Sequence, residues 1–129
     1  MLCKMKEQEK KATVLVADDN KLNLILTKAV ILKLGNFEVF TAENGQQAVE
    51  MYIEEQPNYI LMDIQMPVMN GIEATREIRK IERGTNYRAK IIALSMMFTD
   101  ETRKMGSEAG MDDFLVGPRT SEEIERVLQ

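Results

Sequence analysis

Asp18 and Asp19 close one apolar run, Thr13-Val14-Leu15-Val16-Ala17, and Asp63 closes another, Tyr59-Ile60-Leu61-Met62. Carboxylates brought about 4 Å apart repel by roughly 4 kcal/mol per pair at an effective dielectric near 20. They coexist only when one keeps a proton or a cation sits among them. The chain has no histidine and one cysteine, Cys3, so the ligands available to a cation are oxygens. An all-oxygen set selects a hard ion, Mg2+ or Mn2+, and Mg2+ held by one or two carboxylates keeps waters that phosphate oxygens can replace. Such a pocket suits phosphoryl transfer. A carboxylate can itself be the nucleophile, giving an aspartyl phosphate. Asp63 is the best candidate, because it ends the central strand and precedes a loop containing Pro67. A lone acid after a strand is usually a turn former or helix cap; three acids from two strands at one edge argue for a site.

The elements that must gather them follow from the hydrophobic pattern. Residues 13–17, 37–42, 59–63, 90–95 and 113–116 read as short buried strands. Between and after them lie five helices. Asn20 caps the first, which runs to about Leu34 with Leu22, Leu26, Ala29, Val30 and Lys33 at helical spacing and Gly35 as its stop. Asn44-Gly45 opens the second, which ends near Glu55 before Pro57. Asn70-Gly71 opens the third, ending near Arg83-Gly84; Thr99 to about Ala109 is the fourth; and Thr120 or Ser121 caps the last. Strict alternation predicts an α/β fold, a five-stranded parallel sheet of order 2-1-3-4-5, doubly wound like flavodoxin. Ligands bind such sheets beyond the carboxyl ends of the strands, where the order reverses between strands 1 and 3. The strand ends there are Asp18-Asp19, Asp63, Ser95 and Gly117-Pro118.

Composition narrows the function further. The 129 residues, 44% hydrophobic and 29% charged, fit one globular domain. A net charge of −4 favours neither nucleic acid nor an anionic membrane. Without histidine there is no imidazole base, ligand or phosphohistidine in this chain. Cys3 alone makes neither a disulfide nor a zinc site, which points to a reducing, cytoplasmic setting. No apolar run reaches the roughly 18 residues a membrane span needs. Residues 1–11, MLCKMKEQEKK, read as a flexible lead-in or linker, leaving 12–129 as the domain. The ten methionines read as core filler and loop adaptation.

The blocks VLVADDNKLN at 14–23, ILMDIQMPVMNG at 60–71, IIALS at 91–95 and GMDDFLVGP at 110–118 resemble the receiver domain of two-component response regulators, in the form found in hybrid histidine kinases. The resemblance runs from residue 13 to about 127. It implies that Asp63 accepts a phosphoryl group from a partner's phosphohistidine. It also implies that Asp19 and Asp63 bind Mg2+ directly, with the backbone carbonyl of Gln65 as a third ligand and Asp18 acting mostly through water. Ser95 matches the switch hydroxyl and Phe114 the aromatic switch position. The implied partner is a histidine kinase or a histidine phosphotransfer protein. A homodimer through the fourth helix, fifth strand and fifth helix is one assembly the resemblance allows. The implied role is signalling rather than enzymatic, limited to self-phosphorylation from donors and autodephosphorylation.

Two positions depart from that pattern. Gly117 stands where the family has a lysine before the strand-5 proline, and Met96 stands where a small residue usually follows the switch hydroxyl. Arg119 is the nearest cation that could reach back to the pocket, with Arg103 and Lys104 on the fourth helix poorer candidates. Met96-Met97-Phe98 is expected to pack over the adjacent loop. These departures make a pseudo-receiver, binding partners independently of phosphate, the alternative function. A haloacid-dehalogenase-like phosphatase would need an acid two positions after its nucleophile, where this chain has Gln65. An FMN-binding flavodoxin is disfavoured because Asp18-Asp19 would repel phosphate without a metal, and no P-loop motif is present.

Overall fold

The structure, a computed structural model, describes residues 11–129. Cys3 and all but the last residue of the expected lead-in lie outside the described residues. Five strands, β1 (Ala12–Ala17), β2 (Phe37–Ala42), β3 (Tyr59–Asp63), β4 (Lys90–Ser95) and β5 (Asp113–Val116), pair in parallel in the order β2-β1-β3-β4-β5. They alternate with α1 (Lys21–Leu34), α2 (Gly45–Glu55), α3 (Gly71–Glu82), α4 (Asp100–Ala109) and α5 (Ser121–Val127). This is the architecture expected from the alternation of apolar runs and helices.

The period-two alternation of each strand sends side chains into two separate cores. Leu15, Ala17, Ile60, Met62, Ile91 and Ala93 pack with residues of α2, α3 and α4 such as Ala48, Tyr52, Ile72 and Ile78. Val14, Val16, Leu61, Ile92 and Leu94 pack on the opposite face with Leu24 and Ile31 of α1 and Ile124 and Val127 of α5. Each fully buried aliphatic side chain contributes about 1.5–3 kcal/mol, so both cores hold the strand ends in register.

Side-chain caps set where each helix leaves the sheet. Asn20, Asn44 and Thr99 accept hydrogen bonds from the third residues of α1, α2 and α4. Asn70 and Glu73 form a reciprocal capping box on α3. Thr120, rather than Ser121, caps α5.

The buried face of α1 differs from the expected one. Leu24, Thr27 and Ile31 are buried, whereas Leu22 and Leu26 are exposed along with Ile25 and Leu32. The sequence KLNLILTKAVILKL is apolar nearly all round, so its periodicity does not select one stripe. The methionines divide in a similar way. Met62, Met66 and Met111 fill the core, but Met96, Met97 and Met105 are exposed.

At the amino-terminal end of the strands, a polar network ties α2, α3, β4 and β5 together. Glu82 is buried and accepts from Tyr52 Oη at 2.8 Å, from Arg79 Nη1 at 2.6 Å and from the Ala89 amide at 2.8 Å. Arg79 also donates to the Gly110 and Ala89 carbonyls and to Asp112.

Candidate functional site

At the carboxyl end of the sheet, β1 and β3 deliver Asp18, Asp19 and Asp63 so that one oxygen of each lies within 4.8 Å of the other two. Their environments differ. Asp18 is 1% exposed, Asp63 is half-buried and Asp19 is exposed. The backbone fixes both inner carboxylates: Asp18 Oδ1 accepts the Asn20 amide at 2.9 Å, and Asp63 Oδ1 accepts the Gln65 amide at 3.2 Å. Burial, then the charge of Asp18, pushes the Asp63 carboxyl from 3.8 up to about 6, against opposing pulls from the Gln65 amide and the Arg119 guanidinium. Only the Asp18 share of this shift is the repulsion expected of carboxylates crowded into one pocket; burial contributes more.

The loop from Asp63 to α3 is held close to the Asp63 backbone. Gly71 donates its amide to the Ile64 carbonyl at 2.8 Å. A Cβ at Gly71 would stand 2.2 Å from the Asp63 carbonyl oxygen, so only glycine fits there. Within the loop, Val68 is in the left-handed region at φ 70°, and the Met69 amide bonds the Pro67 carbonyl across it.

Gln65 and Ser95 line the same cleft as the three aspartates. The Ser95 hydroxyl donates to the Met97 carbonyl at 2.7 Å and accepts from the Met97 amide at 3.2 Å, so its bonds stay within its own loop. Phe114 is set apart from the cleft. Its ring stands edge-on to Phe98, with centroids 5.1 Å apart, and Arg103 lies 5.2 Å from both ring centroids. The expected packing of Met96-Met97-Phe98 therefore holds only for Phe98, because Met96 and Met97 are 72% and 77% exposed. Arg103 serves the aromatic pair rather than the acidic pocket.

Arg119 does reach back. Its Nη2 lies 2.6 Å from Asp18 Oδ2, and its Nη1 donates to Thr27 Oγ1 at 3.1 Å. The contact with Asp18 lacks hydrogen-bond alignment, leaving Oδ2 buried without a hydrogen-bond donor. Gly117 adopts φ +83° with open space where a side chain would begin, and its amide donates to the Ser95 carbonyl at 2.9 Å. Thr27 and Phe98 were not singled out as site residues from the sequence. A hydroxyl set among the leucines and isoleucines of α1 is the only sequence signal for Thr27.

A hard divalent cation fits this donor set. The ligands are all oxygens, one oxygen from each of three carboxylates converges within 4.8 Å, and the Asp63 carboxyl ionises unfavourably in the pocket's own field. Among the described residues, this is the cluster of acids close enough to hold one.

Comparisons with known proteins agree with this geometry. A family described as "Response regulator receiver domain" matches residues 14–129. The chain is 38% identical over 110 residues to hybrid signal transduction histidine kinase I of Dictyostelium discoideum, covering 81% of this chain but 6% of that protein. Among solved structures, it is similar to the receiver domain of the sensor histidine kinase PA1611 from Pseudomonas aeruginosa, described with a magnesium ion in its active-site cleft. That match has a TM-score of 0.82 and 34% identity, covering 93% of this chain and 96% of that one. It is similar also to the Saccharomyces cerevisiae Ssk1 receiver domain, solved with the histidine phosphotransfer protein Ypd1, with a TM-score of 0.81 and 28% identity, covering 90% and 85%. The sheet order, the acidic cleft at the ends of β1 and β3 and the match over residues 14–129 lead to one conclusion: the chain belongs to the response regulator receiver domain family.

Proposed function

We propose that residues 12–129 form a phosphorelay receiver in which Asp63 accepts a phosphoryl group from a phosphohistidine on a histidine kinase or histidine phosphotransfer protein. The observation that carries this reading is the convergence of Asp18, Asp19 and half-buried Asp63, one oxygen of each within 4.8 Å of the others. In the transfer, an Asp63 carboxylate oxygen forms the new O–P bond as the P–N bond of the phosphohistidine breaks. The electron pair of that bond stays on the departing imidazole nitrogen. The Gln65 amide holds Oδ1, which orients the carboxylate and leaves Oδ2 to attack.

Asp18, Asp19, Asp63 and the Gln65 carbonyl would hold Mg2+ or Mn2+, which when bound supplies positive charge for the phosphoryl oxygens. Ser95 then exchanges its bond to the Met97 carbonyl for one to a phosphoryl oxygen. Phe114 responds by repacking against Phe98 and Arg103, which changes the partner surface formed by α4, β5 and α5. A homodimer is one use of that surface. The yeast phosphotransfer complex is a structural precedent for such a donor, and a cytoplasmic setting is part of this proposal.

The lack of a side chain at Gly117 favours a second reading, a pseudo-receiver whose partner binding ignores phosphate. Intact-mass spectrometry with acetyl phosphate and Mg2+ separates the two. The phosphoacceptor reading predicts a gain of one phosphoryl group by the wild type, none by Asp63→Asn and none by wild type in excess EDTA. A wild-type protein that gains nothing, or an Asp63→Asn variant that gains the same adduct, would contradict it.

A further inference from the structure

Arg119 is the one lysine or arginine among the described residues that line the acidic cleft. Its side chain is 18% exposed and faces an Asp18 side chain that is 1% exposed. Both charges have largely left water, so their interaction is worth more than that of a surface pair. Thr27 on α1 anchors one arm of the guanidinium through Nη1 at 3.1 Å, while the other arm approaches Asp18 Oδ2 at 2.6 Å without hydrogen-bond alignment. A guanidinium offers five N–H donors in a fixed fork, and Thr27 uses only one of them here. The group is therefore positioned by Thr27 and attracted by charge, with donors to spare.

We infer that Arg119 is the cleft's resident phosphoryl-binding cation, balancing Asp18 while Asp63 is free and pairing with phosphoryl oxygens once Asp63 carries them. The inference rests on the phosphoacceptor reading of Asp63. A phosphoryl group adds negative charge beside Asp18, and an arginine fork matches its oxygens bidentately. Among the described residues lining the cleft, no other side chain supplies that charge: Gly117 after β5 has no side chain, and Met96 and Met97 after β4 are neutral. A divalent ion at the aspartates competes with the same guanidinium for Asp18, since two cations cannot share one buried oxygen without repulsion. Arg119 should thus weaken the binding of the metal alone and strengthen the binding of metal with phosphate.

These opposed effects make the test. Mg2+ affinity is measured by calorimetry, and binding of beryllofluoride, a phosphoryl analogue, by 19F NMR at saturating Mg2+, for wild type, Arg119→Gln and Arg119→Lys. Arg119→Gln should bind Mg2+ about 3–10-fold more tightly, and should bind beryllofluoride about 10–100-fold more weakly, the range expected for a lost hydrogen bond to a charged group. Arg119→Lys, which keeps the charge without the fork, should fall between the two on both measures. A merely structural role would lower both affinities together, and that result overturns the inference, as does an Arg119→Gln protein unchanged in both. A wild type that binds Mg2+ and beryllofluoride while Arg119→Gln behaves identically sinks the role of Arg119 alone. A wild type that binds neither removes the phosphoacceptor reading and this inference with it.

Discussion

Asp63 holds its proton more tightly in the folded, metal-free chain than in the unfolded one, because burial and then the neighbouring Asp18 push its carboxyl from 3.8 up to about 6. Between those two values the folded state binds more protons than the unfolded state, so stability falls as pH rises through this window and the full cost remains above it. Replacing the carboxylate by its neutral isostere removes that cost. In EDTA at pH 7.5, Asp63→Asn should therefore raise the melting temperature by about 2–4 °C, a gain of ~1 kcal/mol after allowance for solvent screening of a half-buried group. At pH 4 the two proteins should melt together. A calorimetric melt at each pH checks this, and an Asn variant less stable than wild type at pH 7.5 would contradict it. The three aspartates were legible in the sequence because each ends a short apolar run and parallel doubly wound sheets bring those ends together. The contact between Arg119 and Asp18 was legible only as a reach, since its direction depends on the turn made by Gly117 at φ +83°.

The elements do more than carry the site residues, because their close approaches set how accurately those residues are held. The start of α3 touches the backbone of Asp63 at Gly71, where an added methyl carbon would meet the carbonyl oxygen at 2.2 Å. Gly71→Ala should cost about 1–3 kcal/mol, the usual range for overpacking, and should displace Asp63. Urea denaturation is expected to show a lower midpoint with an unchanged slope, and a stability equal to wild type would refute the contact. Helix boundaries were legible because Asn20, Asn44, Asn70, Thr99 and Thr120 are side chains that cap. The orientation of α1 was not, because leucine and isoleucine occur all round it and only packing against β1 and α5 selects Leu24, Thr27 and Ile31. The edge-on stack of Phe98 and Phe114 was also hidden, since it joins the end of the β4–α4 loop to β5.

The molecule as a whole is polar at both ends of its sheet, with different consequences. At the amino-terminal end, buried Glu82 and largely buried Arg79 satisfy each other, tying α2, α3, β4 and β5 into one unit. Arg79→Ala strands the Glu82 charge and should destabilise the fold by about 3 kcal/mol. Arg88→Ala, which removes an exposed partner of Asp112, should cost less than about 0.5 kcal/mol. Equal losses for the two variants in chemical denaturation would contradict this assignment. At the carboxyl-terminal end, three acids are crowded and Arg119 faces only Asp18, so under the proposed function that end has affinity for a cation while the other end holds the frame. The most direct measurement of that affinity is a calorimetric titration of Mg2+ into wild type, Asp19→Asn and Asp63→Asn at pH 7.5. One site in the wild type, weakened at least about tenfold by either substitution, is the predicted result. Variants that bind Mg2+ as tightly as wild type, or a wild type that takes up no ion, would show that the three aspartates do not form the proposed centre.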